Sequence, residues 1–190
     1  RVHQCREAVI QHESRLNALR QIAEKAGQRG RRYQWLKENQ LEDFQPFWRH
    51  ITSEPVWETA VEAVLAERMQ SIELSRLEWT EAFARGTLPA RLSFHHVPQV
   101  QEAGQDTATE AEGLDILLSK IKTGLPYLMP VLRNWLRGIY TAPDLATAVR
   151  DRHQLPAGAC FVVPQGHRID RYSVRLYAME SEAEGFFSRY

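Results

Sequence analysis

A chain of 190 residues holds one ordinary domain, or two small halves with an appendage. Its 24 Lys and Arg balance 24 Asp and Glu, so no global field directs it to nucleic acid and any such signal has to be local. With 43% hydrophobic and 25% charged residues the composition is globular, no apolar run approaches a membrane span, and no signal-peptide pattern opens the chain.

From Val2 the apolar or small positions fall at Val2, Cys5, Val9, His12, Leu16, Leu19, Ala23 and Ala26. Steps of three and four with charge between them are a coiled-coil heptad, narrower than the stripe of a helix lying on a globular surface. His12 is then a polar residue in the seam. Gly27 and Gly30 are expected to break this helix, within a run that carries Arg29, Arg31, Arg32 and Lys37 and no acid. A short helix with Tyr33, Leu36 and Leu41 follows.

Phe44, Phe47, Trp48 and Ile51 open the globular part. Ser53 reads as the N-cap of a helix to about Arg68, with Trp57, Val61, Val64 and Leu65 inward. Ile72 and Leu74 predict a strand, and Ser75 with Glu78 forms a capping box for a helix ending near Gly86. After Pro89 the alternation predicts a strand over Ala90–Val97, with Leu92, Phe94 and His96 on one face and Ser93 and His95 on the other. Residues 99–113 lack large apolar side chains and read as a linker.

The order then repeats. Leu114, Leu117, Leu118 and Ile121 predict one helix and Leu125, Leu128, Leu132 and Trp135 another; Ile139-Tyr140 is a strand, and Thr141–Asp144 starts a helix to about His153. Pro55–Leu65 matches Pro126–Leu136 in type, which predicts two related half-domains. Leu155–Ala178 closes the series as a hairpin. Phe161-Val162-Val163 is its first strand, Pro164-Gln165-Gly166 its turn, and the second strand alternates Tyr172, Val174, Leu176 and Ala178 inward with Arg171, Ser173, Arg175 and Tyr177 outward. Ser181 and Glu184 make a further capping box for an outgoing helix. The resulting fold class is α/β (α+β), two helix–strand half-domains flanked by antiparallel coiled-coil helices. The expected divisions are 1–41 arm and junction, 42–98 first half, 99–113 linker, 114–179 second half and 180–190 returning helix. The chain opens and stops inside helical patterns, as a piece of something longer would.

No catalytic constellation is present: there is no phosphate loop, nucleophile elbow or HExxH pair. The adjacent His95 and His96 point to opposite faces of a strand, so they do not share a metal, and His3, His12, His153 and His167 are read as packing or surface residues. No CxxC marks a zinc-bound coiled-coil tip. Cys5 and Cys160 lie in different predicted elements and fit a reducing compartment, Cys160 as a small buried hydrophobe. Arg29, Arg31, Arg32 and Lys37 are the candidate phosphate contacts, whose binding would be salt-sensitive. Tyr33, Trp35, Trp48 and Trp57 are read as packing residues ahead of base-stacking platforms.

Helical arm in, two-part α/β unit, helical arm out: this organisation resembles the hinge of an SMC (structural maintenance of chromosomes) protein. VWETAVEAVLAERMQSIEL resembles the start of that hinge, LPYLMPVLRNWLRGIYTAPDLATAV its second half with Gly138 before the strand, and GACFVVPQGHRIDRYSVRLYAMESEAEGFFSR the C-terminal strands of proteobacterial relatives. The likeness covers about residues 35–190. It departs where many bacterial hinges are glycine-rich, since Tyr172, Arg175 and Tyr177 stand there instead. The resemblance implies a non-enzymatic homodimerisation hinge for chromosome condensation and segregation, cytoplasmic and nucleoid-associated. It places ATP and Mg only at head domains outside this segment, with kleisin and accessory subunits there and no cofactor here, while weak DNA contact at the junction is the expectation from the basic cluster. An edge strand would make the dimer, with Arg171, Ser173, Val174, Arg175 and Tyr177, and Ser93 and His95 on the related strand, as its interface. Two rivals are a module whose DNA affinity is its main role, and a small α/β enzyme with a helical arm.

Overall fold

The computed structural model describes residue 27 and residues 30–98 and 113–178. The heptad run with His12 and Cys5, Arg29, nearly all of the expected linker, and the outgoing helix from Ser181 lie outside these residues.

The chain divides into two compact units: the residues up to Phe44 together with Thr80–Arg91, and Gln45–Trp79 together with the residues from Leu92 onward. In the first unit, α1 spans residues 30–38, and residue 27 is helical as well. The break expected at Gly27 and Gly30 is therefore seen at neither glycine. Arg32, Trp35, Leu36 and Asn39 are half-buried and recur at helical spacing, and Trp35 meets the edge of Phe83 at 5.2 Å between ring centroids. Phe83 belongs to the short helix α3 (Thr80–Ala84). A 3-10 turn, Leu77–Trp79, precedes that helix, so it begins later than the Ser75 capping box predicts.

The second unit carries the repeat. A 3-10 turn (Phe47–His50), β1 (Ile51–Ser53), a 3-10 turn (Pro55–Trp57), α2 (Glu58–Leu65) and β2 (Ile72–Glu73) lead on to β3 (Phe94–His95). The same order returns as a 3-10 turn (Leu117–Lys120), β4 (Ile121–Thr123), a 3-10 turn (Pro126–Leu128), α4 (Met129–Leu136), β5 (Ile139–Thr141), α5 (Leu145–Asp151) and β6 (Cys160–Val162). Each repeat opens its helical segment with proline, whose missing N–H costs nothing at a helix start. Strand pairing follows the duplication. β2 and β3 are parallel, as are β5 and β6, while β1 and β4 run antiparallel with Thr52 opposite Lys122.

Several sequence expectations change at this level. Ser53 ends a strand instead of capping a helix: its hydroxyl donates to the carbonyls of Glu54 and Lys120. The helix stops at Leu65, because Ala66 takes φ 43° and a 3-10 stretch follows to Gln70. Residues 114–121 form no α-helix. Leu117 is buried in a 3-10 turn, and Ile121 is drawn into the β1–β4 ladder. The two repeats also share a core. Phe47, Ile51, Val61, Leu65 and Met69 of the first pack in one cluster with Leu117, Leu128, Leu132 and Leu136 of the second. A second cluster, with Tyr140, Ala148, Leu155, Phe161, Val163 and Ile169, lies on the other face of β5 and β6. Alternation along those two strands explains the split: Ile139, Cys160 and Val162 enter the first cluster, and Tyr140 and Phe161 the second. Two small cores merged into one bury a larger fraction of apolar surface than either half could alone.

Asp144 caps α5 by accepting the Thr147 N–H at 2.7 Å, which holds its carboxyl below the ordinary carboxylate range.

Candidate functional site

After β6 the chain turns at Pro164–Gly166 and returns as β7 (Arg168–Asp170), with Phe161 opposite Ile169. Gly166 has φ 85°, and a Cβ there would stand 2.7 Å from the Tyr177 ring and 3.0 Å from the Cβ of Ala63. Only glycine fits. Tyr177, expected to face outward, is instead half-buried over Gly166, and its N–H donates to Nδ1 of His167 at 3.0 Å.

β7 ends at Asp170, because its carboxylate accepts the N–H groups of Tyr172 and Ser173, each at 2.7 Å, and the Ser173 hydroxyl. Those bonds hold the Asp170 carboxyl below its usual range. They close a tight turn, from which β8 (Val174–Arg175) runs back beside β7. The second strand expected over residues 171–178 is thus a turn followed by the short β8, and β7 lies ahead of it. The predicted burial fails accordingly: Tyr172 is 90% exposed, Leu176 68% and Val174 48%.

β8 is the outer strand of the order β5-β6-β7-β8. The Asp170 N–H donates to the Ser173 carbonyl at 3.0 Å, so the next pair, Ile169 and Val174, is a non-hydrogen-bonded one. The main-chain N–H and C=O of Val174 therefore point away from β7, toward the open side. Arg175 stands directly opposite Arg168. Arg168 reaches the Cys160 sulfur at 3.6 Å, and Arg171 donates to the Leu155 carbonyl. Cys160 is buried with a free thiol.

The related strand β3 pairs only with β2 among the described residues. It is shorter than the expected Ala90–Val97 strand, and its faces are inverted. His95 is 6% exposed and packs edge-on against Phe47 at 5.2 Å and Trp135 at 5.7 Å, with Nδ1 3.0 Å from the Ser71 hydroxyl. Burial, then the neighbouring His50 and His96, lowers its pKa from 6.5 to about 4. His95 is accordingly a core residue, not an interface one. Ser93 is half-buried and its carbonyl accepts the Ile72 N–H.

The junction cations do not form one face. Arg31 and Lys37 are exposed on α1, whereas Arg32 lies on the half-buried side, where burial lowers its pKa. No group of three or more His, Cys, Asp or Glu among the described residues is arranged to hold a metal, and no helix among them is long and apolar enough to cross a membrane.

Comparison with known proteins places this architecture. The family model described as the SMC proteins Flexible Hinge Domain matches residues 41–151. The chain belongs to the SMC hinge family. Chromosome partition protein Smc of Bordetella petrii is 42% identical over 177 residues, covering 93% of this chain and 15% of that protein. The Smc of Burkholderia pseudomallei is 39% identical over 181 residues, with 95% and 15% covered. This hinge thus spans about one-seventh of the length of those relatives. The Pyrococcus furiosus Smc hinge domain with an extended coiled coil superposes with TM-score 0.61 at 11% identity, covering 88% of this chain and 61% of that one. An asymmetric dimer of the Geobacillus stearothermophilus SMC hinge domain gives TM-score 0.52 at 17% identity, with 90% and 80% covered. Both likenesses concern the fold. This segment is an SMC hinge, not an ATPase head.

Proposed function

We propose that this hinge joins two copies of a chromosome-partition Smc protein through its edge strands, linking two coiled-coil arms for chromosome condensation and segregation. The carrying observation is β8, an outer strand in which Val174 aims its main-chain groups outward between exposed Tyr172 and Leu176. Monomeric proteins normally shield such an edge, since it is a template for pairing with another chain. The duplication supplies the receiving strand. β3 corresponds to β6, and where β6 is followed by β7, β3 has no further strand among the described residues. In a two-fold dimer β8 of each copy adds to β3 of the other, closing both edges. The asymmetric dimer of the Geobacillus stearothermophilus hinge supports self-association in this family.

The role is mechanical. ATP and Mg, with the kleisin and accessory subunits, belong to head domains beyond this segment, in a cytoplasmic, nucleoid-associated protein. Weak, salt-sensitive DNA contact belongs to Arg31 and Lys37, the exposed junction cations, together with Arg29.

Val174→Pro tests the edge, because it removes an N–H that faces the open side and breaks no bond to β7. Light scattering should show the dimer reduced to monomer, with an unchanged circular dichroism spectrum. An intact dimer in that variant contradicts the placement.

A further inference from the structure

We propose that Arg175 selects the partner and register of the hinge dimer by pairing with the carboxylate of Glu73 on the second copy. This rests on the edge-strand reading above. Arg175 and Arg168 occupy directly opposed positions on β8 and β7, and like charges so placed oppose the pairing of their strands. Asp170, in the turn between the two strands, offsets the charge of Arg168 but makes no ion pair with Arg175. Asp170 already accepts two backbone N–H groups and the Ser173 hydroxyl. The neighbouring cations are partly occupied, Arg171 by the Leu155 carbonyl and Arg168 by the Cys160 sulfur. Arg175 is exposed and makes no hydrogen bond or ion pair among the described residues. β8 therefore carries an uncompensated positive charge beside exposed apolar side chains, and an anion supplied from outside the chain would stabilise its pairing.

Glu73 is the complementary group. It lies on β2, in the two-stranded sheet that would receive β8, in register with His95 of β3. It is half-buried, yet it too has no hydrogen bond or ion pair among the described residues. Asp115, Asp151 and Asp144 are engaged, with Lys120 at 2.7 Å, with Arg150 at 2.9 Å and in the α5 cap; Glu54, Glu58 and Glu78 lie outside the β2–β3 sheet, so Glu73 is the acid of the strands that would receive β8. With β8 added to β3, β2 lies one strand further on, at about twice the 4.8 Å strand spacing, a span that an extended Arg and Glu together cover. Two-fold symmetry makes the pair twice per dimer. A charge matched across a strand addition fixes register, which main-chain hydrogen bonds alone leave free to slip.

A charge swap read by sedimentation equilibrium tests this. Arg175→Glu and Glu73→Arg should each weaken the dimer at least about tenfold at low salt, and the chain carrying both should recover most of that loss. Failure of the double variant to recover overturns the pairing, as does wild-type affinity in both single variants. So does an Arg175→Glu chain that loses DNA affinity while its dimer constant is unchanged, which would make the partner a phosphate. A wild-type hinge that is monomeric would instead defeat the edge-strand reading itself, so the two failures are separable.

Discussion

His95 is the residue where sequence and structure differ most usefully. Its alternation with Phe94 placed it outside, in a strand too short for alternation to be decisive. The fold packs it edge-on against the Phe47–Trp135 ring pair, neutral and bonded to Ser71. A histidine whose pKa falls from 6.5 unfolded to about 4 folded binds fewer protons in the native state between those values. Its contribution is thus complete above pH 6.5 and is lost as the pH falls toward 4. Between pH 6.5 and 5, above most carboxylate titration, this one group should remove about 1.5 kcal/mol of stability. Urea unfolding across that window checks it against His95→Asn, whose amide retains a hydrogen-bonding group near Ser71. The wild type should lose stability steeply and the variant far less. Equal slopes would show that His95 is not the group responsible.

At the scale of elements, the repeat was legible because proline and bulky apolar pairs mark the same places twice, at Pro55 and Pro126 and at Leu65 and Leu136. What the sequence concealed were elements decided by tertiary pairing. Ile121 and Ile51 have helix-compatible spacing, yet each is held in a three-residue strand by the other repeat. The Asp170–Ser173 turn was readable in principle, since Asp with Ser three residues on favours such a turn, but the alternation from Arg171 onward drew the turn's last residues into the strand. The helix ends differ as well. α4 is followed by Gly138 at φ 72°, whereas α2 gives way to Ala66 at φ 43° and ψ −117°, a region that L-residues avoid. Ala66→Gly should therefore stabilise the hinge by about 1 kcal/mol, seen as a higher urea midpoint with an unchanged slope. A lowered midpoint would contradict the strained conformation.

For the whole molecule, arm, paired repeats and closing strands gave the family from residue order alone, and the match over residues 41–151 agrees. The site was less legible. Arg171, Ser173 and Arg175 are exposed as expected, but Tyr177 and His95 are turned inward, and Tyr172, Val174 and Leu176, read as the inward face, are exposed. An edge strand's exposed apolar residues have the pattern of a buried strand, because both are built to be covered, one by its own chain and the other by a partner. In the proposed dimer a second copy covers this edge, and the mass of the hinge in solution decides it. Sedimentation equilibrium of the 190-residue chain should give twice the chain mass, held at high salt and in the absence of DNA. A chain that remains monomeric at every accessible concentration, or that pairs only when DNA is added, would contradict it.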